Sequence, residues 1–133
     1  MSKYYTPRIE EFTINFNYEY NTWKGWSLKV MDSFNHRPNG TMNLQYDLVL
    51  NRSKFRVKYL DRDDIESLGF SVDSYFEAIQ SYKRYNTDDF SCIQITCFNS
   101  DNIVEIRNPS RIMFQGIIKN KSELERILKI IDV

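Results

Sequence analysis

His36 is the only imidazole in the chain, and it sits in Asn35-His36-Arg37-Pro38-Asn39-Gly40, which is turn chemistry throughout. General acid–base work and zinc binding need a histidine supported by a partner, and no such set is visible around it. The expectation is a solvated loop residue, with no Ser-His-Asp or Cys-His pair. Cys92 and Cys97 lie five apart in a stretch that reads as strand, so their side chains point to opposite faces and do not bridge. They read as small core residues of a protein kept in a reducing compartment. Asp61, Asp63 and Asp64 form the densest acidic cluster, with Glu66 one turn further on. A calcium loop also needs a glycine turn and a distal bidentate glutamate at fixed spacing. Three carboxylates where a helix begins are better explained by capping and the helix dipole. No catalytic residue, no metal site and no cofactor is expected.

The basic run is the strongest positive signal. Arg52, Lys54, Arg56 and Lys58 occupy alternate positions, so on one continuous strand they line a single face while Phe55, Val57 and Tyr59 point the other way. The functional reading is a stripe that binds phosphates or an acidic partner. The competing reading is the wetted face of an amphipathic strand, with lysine discouraging edge pairing. Among the aromatics, most fall at alternating positions that suit a core, whereas Trp23 and the pair Tyr4-Tyr5 lie outside those patterns and suit exposed contacts.

The chain as a whole narrows these options. Its 133 residues suit one domain, 1–133, and 41% hydrophobic with 27% charged residues is a globular composition. Eighteen Lys and Arg balance eighteen Asp and Glu, which gives no general attraction to nucleic acid or to an anionic membrane. The balance is uneven along the chain: nine basic and five acidic residues in the first sixty, nine and thirteen in the rest. No stretch at the start reads as a signal peptide and no window approaches a membrane span. The N-x-S/T triplets at Asn39, Asn51 and Asn120 are then expected to carry no glycan.

Nine Phe, nine Tyr and two Trp, against a single alanine (Ala78), favour pleated structure over helix. Phe12, Ile14, Phe16, Tyr18 and Tyr20 alternate with polar residues and predict a strand, and Trp26, Leu28 and Val30 predict its hairpin partner across a turn at Asn21–Gly25. Leu44 to Leu50 fits a strand or two turns of helix, and Phe55 to Tyr59 fits a strand. Asp61 predicts the N-cap of a short helix with Ile65 and Leu68 inward, ended by Gly69. Residues 72–86 fit a helix capped by Asp73, through Phe76, Ile79 and Lys83, or strands. Phe90–Phe98, Ile103–Arg107 and Arg111–Ile118 predict an antiparallel meander, its first hairpin turning at Asn99–Asn102. Leu124, Ile127, Leu128 and Ile131 make one stripe of a closing helix, with capping-box spacing at Asn120/Glu123 or Ser122/Glu125. The predicted class is α+β: mostly antiparallel sheet of six or seven strands, a C-terminal amphipathic helix packed on it, and one short central helix.

Three stretches carry a resemblance: Tyr-Tyr-Thr-Pro-Arg-Ile-Glu-Glu-Phe at 4–12, Arg-Val-Lys-Tyr-Leu-Asp-Arg-Asp-Asp-Ile-Glu-Ser-Leu-Gly-Phe at 56–70, and Phe-Gln-Gly-Ile-Ile-Lys-Asn-Lys-Ser-Glu-Leu at 114–124. Together the sequence resembles small uncharacterised proteins encoded by crAss-like bacteriophages of gut Bacteroidales. Residues 32–54 and 71–90 lie outside the resemblance. What it implies is a phage origin, the bacterial host cytoplasm or the virion as the working place, and an accessory or particle-associated role. With the absence of catalytic sets, the expected function is non-enzymatic and works by protein–protein interaction with a host or phage partner. Self-association through exposed edge strands is also compatible with the pattern. The alternative is a protein that binds or sequesters a small anionic ligand or nucleotide, and nucleic acid is the least favoured partner.

Overall fold

A run of aromatic residues at alternate positions needs a second surface to bury against, and in the amino-terminal half a sheet and one helix supply it. The structure, a computed structural model, describes residues 3–75, 79–85, 92–98 and 102–131. The chain divides into two compact units, residues 1–59 and 60–133. In the first, β1 (Tyr4–Tyr5), β2 (Asn17–Thr22), β3 (Gly25–Val30) and β4 (Phe55–Lys58) form an antiparallel sheet in the order β1-β4-β2-β3, and α1 (Leu44–Leu50) joins its core. The core consists of Phe12, Phe16, Tyr18, Tyr20, Met31, Leu44, Leu48, Phe55 and Val57. Phe12 meets Phe16 and Tyr18 edge to face, 5.0 Å from each, while Tyr18 stacks on Phe55 at 5.7 Å.

The first predicted strand is shorter than its alternation. It starts at Asn17, because the chain turns at Ile14–Asn15, where Asn15 takes a left-handed φ of 73°. Phe12 and Phe16 still reach the core across that turn, and Ile14 does not. Leu44–Leu50 resolves to helix: the Asn43 side chain accepts the Tyr46 N–H at 3.0 Å, and Leu44 and Leu48, one turn apart, both face the core. The predicted hairpin forms between β2 and β3, with Trp26, Leu28 and Val30 on the outer face and Ser27 and Lys29 on the inner one opposite Tyr20 and Tyr18.

In the second unit, α2 (Arg62–Ser67) precedes β5 (Ser71–Tyr75), β6 (Ile79–Tyr85), β7 (Cys92–Phe98), β8 (Ile103–Arg107) and β9 (Ile112–Ile117), and α3 (Lys121–Ile131) ends the chain. The five strands pair antiparallel in chain order, so the predicted meander extends back through residues 71–85, where strands form instead of the alternative helix. Phe76, Phe90 and the Asn99–Asp101 part of the predicted hairpin turn lie outside the described residues. Asp61 caps α2, accepting the Asp64 N–H at 2.9 Å while Asp64 accepts the Asp61 N–H at 3.3 Å, and Gly69 leaves the helix at φ +93°. Asn120 caps α3 by accepting the Glu123 N–H, and Glu123 reaches back to the Lys119 N–H, each at 2.9 Å. Leu124 and Leu128 then bury against Tyr82, Ile95, Val104, Ile106 and Ile118, with Ile65 of α2 in the same cluster. The fold is thus α+β and mostly sheet, with nine strands among the described residues. No described helix is long and apolar enough to cross a membrane.

Leu124 has no solvent exposure. Leu124→Ala is expected to lower stability by about 3 kcal/mol, and Asn120→Ala by about 1 kcal/mol through the lost cap, measured as shifts in urea unfolding followed by far-UV circular dichroism.

Candidate functional site

The polar chemistry of the amino-terminal unit gathers around two tyrosines of β2. Asp47, on the core-facing side of α1, is fully buried and accepts the Tyr20 hydroxyl at 2.8 Å and the Asn51 amide at 2.8 Å. Beside it, the Tyr18 hydroxyl is hydrogen-bonded to His36 Nε2, and His36 Nδ1 lies 3.1 Å from Asp32 Oδ1. The His36 side chain is only 9% exposed, which corrects the expectation of a solvated loop residue. Its partner is a core tyrosine eighteen positions earlier, a pairing no local pattern reveals. The Asp32–His36–Tyr18 order resembles an acid–base relay, but it ends on a phenol with 1% exposure. Burial first, and then the Asp47 charge, push the Tyr18 phenol far above its ordinary ionisation range, so it stays protonated and is no nucleophile. Burial and the bond to Asp47 push Tyr20 up to about 12.

The structure divides the predicted basic stripe. Asn51 closes α1 and residues Arg52–Lys54 form a 3-10 turn, so only Arg56 and Lys58 share a strand face. Arg56 is committed to the sheet: its guanidinium lies 3.8 Å from the Tyr4 ring centre and 4.1 Å from that of Trp26, and it pairs with Glu19 at 3.0 Å. Lys58 stands opposite Tyr4 in the β1–β4 ladder and is half-buried. Arg52 and Lys54 are exposed, and Lys54 belongs to a different constellation. It lines a cleft of about 930 Å³ with Lys29 of β3, Arg37 of the following loop and Trp23 of the hairpin tip. Trp23 is 90% exposed, as its position outside the alternation suggested. Lys29 and Arg37 were not singled out in the sequence, where they stand alone between unrelated neighbours.

A second surface lies on the opposite face of β3. This strand ends the sheet, and Trp26, Leu28 and Val30 are 37%, 69% and 46% exposed along it. The Met31 N–H bonds to the Phe16 carbonyl, and antiparallel pairs alternate between bonded and non-bonded. Lys29, Ser27 and Gly25 therefore bond to β2, while Trp26, Leu28 and Val30 direct their N–H and C=O groups to the open edge. Among the described residues, the same three positions offer both backbone and apolar side chains. β9, at the edge of the other sheet, has Ile112 and Ile117 exposed only at its two ends, with Gln115 between.

In the second unit Cys92 and Cys97 are free thiols on β7. Cys97 packs against the core, and burial pushes it up to about 11, which leaves it unreactive. The carboxylates at Asp61 and Asp64 are occupied in capping α2, and no group of three or more His, Cys, Asp or Glu among the described residues is placed to hold a metal. No protein-family model, curated protein or solved structure matches the chain.

Tyr18 and Tyr20 ionise later in the folded protein than in the unfolded chain, whose phenols titrate near 10. The folded state therefore holds more protons above that pH. The stability these two groups contribute is complete below about pH 10 and declines as the pH rises through about 12. The expected result is a urea midpoint that drops over this range, with two phenols ionising only as the protein unfolds in tyrosinate absorbance.

Proposed function

We propose that this protein is not an enzyme and works through protein–protein contact, with β3 as its docking strand and a second copy of the chain as the occupant. One observation carries the reading: Trp26, Leu28 and Val30 turn their backbone groups to the open edge of the sheet and expose apolar side chains from the same strand. Antiparallel pairing of two β3 strands about Leu28 brings these outward groups into register. Leu28 meets its own copy, Trp26 meets Val30, Ser27 meets Lys29, and Lys24 comes opposite Asp32. No like charges face each other, and the apolar side chains form one continuous ladder on one face. Such an isologous contact joins two four-stranded sheets into one of eight strands.

The relay-like chain that ends on a buried, protonated Tyr18 supports the non-enzymatic reading. The resemblance to crAss-like phage proteins supports an accessory or particle-associated role, in the host cytoplasm or in the virion. Mass spectrometry of purified particles separates those two settings, and a pull-down from infected cells reports any host or phage protein bound in addition.

Sedimentation equilibrium is expected to show a dimer. Leu28→Lys, which places two lysines across the twofold axis, is expected to raise the dissociation constant by at least tenfold, about 1.4 kcal/mol, with an unchanged circular dichroism spectrum. A wild-type protein that stays monomeric at every accessible concentration, or a Leu28→Lys variant that dimerises as well as the parent, rejects the β3 contact. Metal-dependent turnover of nucleotides or phosphoesters that a single substitution abolishes rejects the non-enzymatic reading.

A further inference from the structure

The cleft on the inner side of β3 has a composition that neither the core nor the dimer contact explains. Lys29 comes from β3, Arg37 from the loop before α1 and Lys54 from the 3-10 turn after it, and all three line one cavity of about 930 Å³. Among the described residues, no carboxylate lines that cavity. The unit's acids are largely engaged elsewhere: Glu11 accepts the Tyr5 hydroxyl and the Arg8 N–H, Glu19 holds Arg56, Asp32 holds His36 and Asp47 holds Tyr20. Three cations that share one cavity repel one another, and a polyanion seated among them relieves that repulsion.

The loop that carries Arg37 is held in place. Arg37 Nη1 donates to the Thr41 carbonyl at 2.9 Å, which orients the guanidinium and leaves its other donors available for an anion. Asn39 pins the same loop by accepting the N–H groups of Thr41 and Met42, each at 3.0 Å. At the hairpin tip Trp23, 90% exposed, is among the residues that line the cavity, with the Lys24 ammonium 4.9 Å from its ring centre. An indole so little buried contributes almost nothing to the core. It offers a flat face on which a heteroaromatic ring can stack.

We propose that this cleft binds a nucleoside di- or triphosphate, its phosphates among Lys29, Arg37 and Lys54 and its base on Trp23. The site stands independently of the β3 dimer, because it uses the face of β3 that carries Lys29 and not the one that carries Leu28.

The test is calorimetry and tryptophan fluorescence on the full chain with ATP, GDP, inorganic tripolyphosphate and a single-stranded oligonucleotide, at low and high salt. ATP and GDP are expected to bind with heat and to quench Trp23, more weakly as salt rises. Arg37→Ala and Lys54→Ala are each expected to raise the nucleotide dissociation constant about tenfold, as for a lost hydrogen bond between charged groups. Trp23→Leu is expected to abolish the quench and to weaken ATP about tenfold while leaving tripolyphosphate unchanged, since only the nucleotide has a base to stack. All three side chains are exposed, so the variants retain the fold, which circular dichroism checks. The proposal is overturned by flat titrations with both nucleotides at low salt, or by affinities that none of the three substitutions moves. Equal binding of ATP and tripolyphosphate overturns the nucleoside assignment. Oligonucleotide affinity that rises with length and exceeds that of ATP overturns it in favour of nucleic acid.

Discussion

Asp47 is a carboxylate without solvent contact, and its position is decided by what it must bond. Burying such a group is costly unless its oxygens are satisfied, and here one takes the Tyr20 hydroxyl and the other the Asn51 amide. The first bond fastens α1 to β2. The second fixes where α1 ends and so where the Arg52–Lys54 turn begins. Asn39, 3.5 Å from the Tyr20 hydroxyl, brings the loop before α1 to the same point. The placement of Arg37 and Lys54 around one cavity therefore follows from a polar anchor in the core.

The two faces of β3 separate two kinds of work. One carries Ser27 and Lys29 toward β2's buried tyrosines and the cationic cleft, and the other carries Trp26, Leu28 and Val30 outward. Arg56 links this outer face to the rest of the sheet, since its guanidinium lies between Tyr4 of β1 and Trp26 of β3 while its charge is matched by Glu19. A cation used in this way stiffens a surface. It is not available to recruit a ligand.

Much of the architecture was legible because periodicity and capping are local. The meander, the N-caps at Asp61 and Asn120 and the stripe of α3 are all written within a few neighbouring residues. The errors arose where the third dimension decided. Alternation in Trp26–Val30 correctly gave a strand, but alternation alone does not say which face meets the core, and an edge strand with a small inner residue such as Ser27 inverts the usual answer. Spacing in Arg52–Lys58 assumed a continuous strand and could not register that α1 ends at Asn51. His36 read as wet because its partner Tyr18 is remote in sequence, and the cleft cations Lys29, Arg37 and Lys54 meet only through folding. Of the cleft residues, Trp23 announced itself by standing outside every apolar pattern and Lys54 by its place in the basic run, whereas Lys29 and Arg37 did not.

The hairpin tip has one more implication. Trp23 and Lys24 make a two-residue turn closed by Gly25 at φ +105°, and that count of residues is what keeps Leu28 outside and Lys29 inside. Gain or loss of one residue there, with pairing to β2 restored, would turn the strand over: Trp26 and Leu28 would move to the inner face of the sheet and Lys29 would surface. Loop length at this point thus acts as a toggle between a sociable molecule and a solitary one, reachable by a single-codon insertion or deletion.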